Sequence, residues 1–489
     1  MAELLEDLLK QKRDNFRVEI RRKATEELFR QKRRMLTNND QTELTDEKVH
    51  LWYKNLVNQN YEETLDEIIN YVKTSNAEFS LGLINKHEIY PLLLNIWYKQ
   101  ELDYSIIQKL LFIFADLHFY NVFDDLKFLQ NESIMRKLFD LLQMASQKIQ
   151  SLIFFLLANL VGMDNGIKAR QLADYRFCSF IRKLWIQKLI HFEVENIKDF
   201  CWFLSNFFKY DPSNVAGFTL SEVYCLQFIK VKEIVPIVLE CIDQNDKEIR
   251  SYSLMTLKYM CQAKEEVYSM ILKELKVFNN LMNLQLVSAD EDVQLLTTEI
   301  IASFALADDE ITAQLVNEFK ILDFFLQIYI QQGRNKQREF KKIILWGLTN
   351  LCSNKNVEVL QTIIKHNLIR VMEMDENETE IIKDILEVIR SLSQLQNTDL
   401  LEYVLMSRNF VDIVMNQLKL KTSKAIVLTC LDIVYNFAYR IGQNTQSDVN
   451  RAISTFISKG FDTILNQFDL DSDPDINLQA QRIAEAFLQ

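Results

Sequence analysis

Hydrophobic residues along this chain recur on a helical period, and the period itself recurs. Between Lys336 and Asn354, the residues Phe340, Ile343, Ile344, Gly347, Leu348 and Leu351 fall at i, i+3, i+4, i+7, i+8 and i+11. That spacing gathers side chains on one face of an α-helix. Trp346 and Asn350, four residues apart, lie on a different face, so the core does not require them. Residues 148–162 keep the same register, with Ile149, Leu152, Ile153, Leu156, Leu157 and Leu160 on the core face and Phe155 and Asn159 on the second. Residues 199–211 put Trp202 and Asn206 in those two places.

Weaker copies supply Phe112/Asp116, Met255/Tyr259, Glu299/Ser303, Arg390/Gln394 and Asp432/Asn436. Successive second members are 43, 47, 53, 44, 47, 44 and 42 residues apart. Armadillo and HEAT units run at about 40–47 residues. After the Trp346 helix the pattern predicts a short helix over Val357–Lys365 and another over Leu368–Met374. Three helices per unit favour armadillo. Such units bury their apolar faces only against neighbours, which predicts an all-α, armadillo-repeat, right-handed superhelical solenoid with a groove. The 53-residue step after Asn206, with Asp211-Pro212 and Gly217, reads as a loop insertion.

Composition agrees with this reading. With 489 residues the chain exceeds one ordinary core, and its 48% hydrophobic content excludes wholesale disorder. Only 8 Gly and 4 Pro are present, too few for a turn-rich sheet protein or a phosphate-cradling loop. Seven scattered cysteines, Cys178, Cys201, Cys225, Cys241, Cys261, Cys352 and Cys430, form no CxxC and suit buried positions in a reducing compartment. No apolar run reaches the length of a signal peptide or a membrane span, so a cytosolic or nuclear protein is expected. The five histidines are far apart, no HExxH or GxSxG occurs, and neither catalysis, a metal nor a cofactor is expected.

Charge is uneven. The net charge is −12, yet residues 10–34 hold 11 Lys/Arg against 4 Asp/Glu. A basic arm on an acidic body fits an acidic partner, or folding back on the body itself, better than nucleic acid. The expected organisation is a basic helical arm over 1–38, a polar linker over 39–63, and about ten repeats over 64–489, the last one capping.

These residues resemble the importin α family. The family carries a Trp-x-x-x-Asn array on the third helix of successive armadillo repeats, and CWFLSNFF and LWGLTNLC match it fully. FFLLANLVG matches with Phe155 in place of Trp, and Met255/Tyr259 resembles the fifth repeat, which has Tyr at the Asn place. RVEIRRKATEELFRQKRRM resembles the importin-β-binding domain, and KGFDTILNQFDLDSDPDINLQAQRIAEAFL the final repeat, which in the family contacts the export receptor. The resemblance implies a nuclear import adaptor that shuttles between cytoplasm and nucleus. Importin-β would hold Arg13, Arg17, Arg21, Arg22, Lys23, Arg30, Lys32, Arg33 and Arg34. Nuclear localisation signals would bind Phe155, Asn159, Trp202 and Asn206 in one site and Trp346 and Asn350 in a second. Phe112/Asp116 and Arg390/Gln394 depart from the family's pairs, which marks a divergent member.

The residue types suit that task. An asparagine carboxamide can bond both the N–H and the C=O of an extended peptide, and aromatic rings one turn away give lysine stems and ammonium groups a face. Lys32-Arg33-Arg34 resembles the family's internal cargo mimic, expected to occupy the Trp202/Asn206 groove when partners are absent. A non-transport armadillo scaffold is the alternative; it would not need the basic arm.

Overall fold

The computed structural model describes residues 44–74, 84, 86–99, 101–119, 125–144, 146–162, 172, 176–209, 232–261, 277–331, 335–407, 409–441, 453–468 and 473–487. The basic arm and the insertion after Asn206 lie outside them. The chain divides into two compact units, Met1–Val223 and Tyr224–Gln489. Among the described residues all regular structure is helical.

In the first unit the helices are α1 (Asp46–Val57), α2 (Tyr61–Thr74), α3 (Ile89–Trp97), α4 (Tyr104–Phe119), α5 (Asp125–Gln130), α6 (Glu132–Met144), α7 (Gln147–Val161), α8 (Phe177–Ile186) and α9 (Val194–Phe208). The third helices of successive repeats, α2, α4, α7 and α9, pack one on the next. Buried Phe154 of α7 meets Phe200 of α9 edge to face at 5.0 Å, and Phe177 of α8 meets Phe203 at 5.4 Å. Each repeat therefore completes its neighbour's core, as stacked units must.

The second unit holds α10 (Lys247–Met260), α11 (Val277–Val287), α12 (Glu291–Ser303), α13 (Asp309–Asn317), α14 (Ile321–Ile330), α15 (Gln337–Leu351), α16 (Val357–Lys365), α17 (Asn367–Glu373), α18 (Ile382–Ser393), α19 (Thr398–Ser407), α20 (Phe410–Leu420), α21 (Lys424–Ile441), α22 (Phe461–Phe468) and α23 (Pro474–Phe487). The triplets α13–α14–α15, α16–α17–α18 and α19–α20–α21 are the three-helix armadillo unit. Helices α10, α12, α15, α18, α21 and α23 form the row of third helices, each against the next. Close approach along the row is set at Gly347: a Cβ there would lie 3.0 Å from the Phe325 ring and 3.1 Å from Ala302 Cβ.

Polar residues start and join the helices. Asp246 caps α10 and Asp290 caps α12, each accepting from the backbone N–H groups of the second and third residues of the helix, while Asn356 does the same for α16. The tight turns into second helices take positive φ at Glu88, Arg176 and Lys320, between 51° and 54°. Glycine fills such places most easily; here charged residues do, which is how the chain manages with so few glycines.

One expectation changes. Residues 46–57, read from sequence as part of a polar linker, are helix α1, and α2 begins at Tyr61 rather than near Thr64. Only Val49, Trp52 and Leu56 of α1 are buried, a narrow stripe that its charged neighbours hide in the sequence. Thr45 caps this helix, and the Trp52 indole donates to Glu67 of α2 at 2.8 Å.

Asp384, half-buried in the first turn of α18, has its carboxyl raised from 3.8 to about 6; burial outweighs nearby Lys342 and Lys383. The folded state then holds a proton that the unfolded chain releases. Its stability falls as pH rises from about 4 through about 6. Asp384→Asn is expected to raise the melting temperature by about 2–4 °C at pH 7 and not at pH 4, measured by paired thermal melts.

Candidate functional site

The third-helix rows carry the sequence-predicted residues. In the first unit, Phe155 on α7 and Trp202 on α9 bring their rings to 5.2 Å between centroids at 37°, so the two aromatic positions form one shelf across adjacent repeats. Phe155 is half-buried and Trp202 only 4% exposed. One turn on, Asn159 and Asn206 are 4% and 2% exposed. Asn159 Nδ2 donates to the Ala115 carbonyl of α4 at 2.8 Å, which ties α7 to the preceding repeat. Asn206 Oδ1 is buried without a hydrogen-bond partner. A Cβ on Gly162 would come within 3.2 Å of that oxygen, so glycine leaves it room.

In the second unit Trp346 is half-buried on α15, and Asn350 is 6% exposed with its Nδ2 unpartnered. The second face of these helices is therefore partly covered: its asparagines and Trp202 are buried, while Phe155 and Trp346 keep part of their rings exposed. Buried polar atoms almost always find partners, so an orphan is a candidate contact point for something that binds. Two asparagines at equivalent register positions each hold one. The Arg13–Arg34 basic residues lie outside the described residues and are not placed against either row.

Comparison with known proteins bears on both parts. The description "Importin beta binding domain" matches residues 3–83, beyond the expected arm and across α1 and α2. An engineered protein solved by a structural genomics consortium superposes on 91% of this chain and 100% of its own, with a TM-score of 0.67 at 16% identity, a likeness of fold alone. Residues 3–83 are thus similar to the importin-β-binding domain, and the described helices have an armadillo fold. A designed armadillo repeat protein in complex with the peptide (KR)4 covers 52% of this chain and 99% of its own, at 18% identity and a TM-score of 0.42. A computationally designed armadillo repeat protein for modular peptide recognition covers 52% and 99%, at 17% identity and 0.43. No curated protein matches by sequence.

Among the described residues no grouping of three His, Cys, Asp or Glu could hold a metal, and no described helix is long and apolar enough to cross a membrane. His118 is buried with Nε2 2.9 Å from the Tyr90 hydroxyl, and His366 caps Leu368 N, both structural tasks. The six described cysteines are buried, and burial pushes the Cys352 thiol up to about 12.

Sequence reasoning missed how the weaker register positions are used. Glu299, at the Trp place of α12, is bound by Lys258 of α10 at 2.8 Å. Arg390, at the Trp place of α18, pairs with Glu387 at 2.7 Å. Asp432 of α21 accepts from Gln479 of α23 at 2.8 Å. The signal was available in register: Lys258 and Glu299 stand at neighbouring ladder positions of consecutive repeats.

Proposed function

We propose that the chain is a nuclear import adaptor. Its arm, through Arg13, Arg17, Arg21, Arg22, Lys23, Arg30, Lys32, Arg33 and Arg34, binds importin-β. Its third-helix rows take basic localisation peptides, at Phe155, Asn159, Trp202 and Asn206 in the first unit and at Trp346 and Asn350 in the second. Cargo is carried into the nucleus, and the export receptor engages the repeat of α22 and α23 to return the adaptor. The observation that carries this reading is the importin-β-binding match at residues 3–83 ahead of armadillo rows. The unpartnered amide atoms of Asn206 and Asn350 support a peptide as the occupant, because an extended backbone offers both a donor and an acceptor.

The test is binding of the full chain to importin-β across a salt titration, beside the triple variant Arg21→Ala, Arg22→Ala, Lys23→Ala. Tight binding that weakens with salt and falls at least about tenfold in the variant is the expected result. Absence of binding by the parent chain at physiological salt would leave an armadillo scaffold in its place.

A further inference from the structure

Lysines at several joints of the first unit are paired. Lys109 of α4 reaches Glu62 and Asp66 of α2, and Lys198 of α9 binds Glu195. One edge departs from this. Lys148, Arg182, Lys183 and Lys188 are exposed, and none of the four has an ion-pair partner among the described residues.

Large apolar side chains stand with them. Helix α8 ends in a turn closed at Lys188, φ 54°, where Lys188 N and Leu189 N donate back to the Trp185 and Leu184 carbonyls. Arg182 and Lys183 lie one helical turn before Ile186 and share its side of α8. Ile186, Leu189, Phe192 and Val194 are all exposed, and the Phe192 ring meets buried Trp185 edge to face at 5.0 Å. Gln150 brings the preceding repeat alongside, because its Nε2 donates to the carbonyls of both Leu142 and Leu189. Met144, 80% exposed, and Lys148 therefore belong to the same edge. On these two turns, residues 144–148 and 182–195, the described carboxylates are Glu193 and Glu195, and Glu195 is taken by Lys198. Turns are ordinarily polar; five exposed apolar side chains beside four unpaired cations, on a chain of net charge −12, make a surface suited to an apolar and acidic occupant.

The chain carries such a segment outside the described residues. In MAELLEDLL, Leu4, Leu5, Leu8 and Leu9 fall at helical spacing, with Glu3, Glu6 and Asp7 between them and no Lys or Arg. We propose that Met1–Leu9 docks on this edge, its leucines over Met144, Ile186, Leu189, Phe192 and Val194 and its carboxylates against Lys148, Arg182, Lys183 and Lys188. Residues 10–43 can span up to about 110 Å when extended. The edge lies three steps from α2 along the row α2, α4, α7 and α9, at about 10 Å a step, so the reach is ample. Tethering gives the segment a millimolar-scale effective concentration, and a weak contact suffices. The basic residues 10–34 are then held at both ends, by the docked segment and by Leu44 ahead of α1. Neither importin-β nor a cargo peptide is needed for this contact.

The experiment treats the full chain with a zero-length carbodiimide, which joins a carboxylate to a lysine only where the two touch. Products are mapped by mass spectrometry in an equal mixture of isotope-labelled and unlabelled chain, which tells joins within one chain from joins between two. Glu3, Glu6 or Asp7 is expected to be joined to Lys148, Lys183 or Lys188 within one chain. The double variant Leu4→Ser, Leu8→Ser keeps every charge and leaves the repeats untouched; it is expected to lower that yield at least about fivefold. Ile186→Ser with Phe192→Ser is expected to do the same from the other side, with a thermal melt to show that it folds.

Absence of any join between those carboxylates and those lysines overturns the proposal. So does an undiminished yield in Leu4→Ser, Leu8→Ser, which would make the contact one of charge alone. An undiminished yield in folded Ile186→Ser, Phe192→Ser places the segment elsewhere and overturns it as well; should that variant not fold, the leucine variant decides. Joins found mainly between differently labelled chains make a second copy the occupant and overturn it too.

Discussion

Replacing Gln150 with leucine is expected to destabilise the first unit by about 2–4 kcal/mol. Gln150 is 1% exposed and uses its whole carboxamide. Its Nε2 donates to the Leu142 carbonyl at 2.8 Å and to the Leu189 carbonyl at 2.7 Å. Its Oε1 accepts from His191 N at 3.1 Å and from Asn196 Nδ2 at 3.3 Å. One side chain on α7 thus joins the end of α6 to the connection between α8 and α9. Leucine has nearly the right size and none of the partners. Water can reach Leu189 and His191, which are exposed, but not the Leu142 end; that limits the loss to a few kcal/mol.

Gln150→Glu is expected to cost more at neutral pH, since a buried carboxylate would face two carbonyl oxygens. Acid should recover part of the loss, because the protonated carboxyl can donate to one of them. Hydrogen exchange is the better readout than a single melt. Stability in repeat proteins is a sum over neighbours, so opening should concentrate in residues 132–208 and leave the second unit unchanged. A uniform loss in both units would contradict this account.

What could be read from sequence followed from how local each signal is. The core faces of α7 and α15 appear in a single helix as a 3.6-residue period, and the repeat spacing exposes the array. Residues such as Phe340, Ile344 and Leu348 are fully buried where the period puts them. Burial of Asn159, Asn206 and Trp202 was not legible, because a neighbouring third helix from about 45 residues away does the covering. Helix α1 was missed for a different reason. Its stripe of Val49, Trp52 and Leu56 is one residue wide, and periodicity in a charged window is weak evidence. Lys258–Glu299 needed both the register and the knowledge that α10 and α12 are adjacent; neither residue stands out alone.

Asn206→Ala is expected to weaken binding of a basic peptide to the first unit by about tenfold or more, without loss of stability. The pairing of those two outcomes is what the geometry dictates. Asn206 Oδ1 lies buried and unpartnered, so the free chain bears the cost of a desolvated carbonyl. Alanine removes that cost, and the melting temperature should hold or rise. The same oxygen is the atom a peptide N–H would satisfy, after a small turn of the amide toward the shelf made by Phe155 and Trp202. Asn159 provides the contrast. Its Nδ2 already serves the Ala115 carbonyl, so Asn159→Ala should lower stability by about 1 kcal/mol by removing that tie between α7 and α4. Stability spent at a position that gains only when a partner arrives is the usual mark of a binding site. Calorimetric titration with a (Lys-Arg)-rich peptide, beside thermal melts of both variants, separates the cases. If Asn206→Ala binds as tightly as the parent chain and melts earlier, Asn206 is a structural residue and the first unit's peptide site must be sought elsewhere.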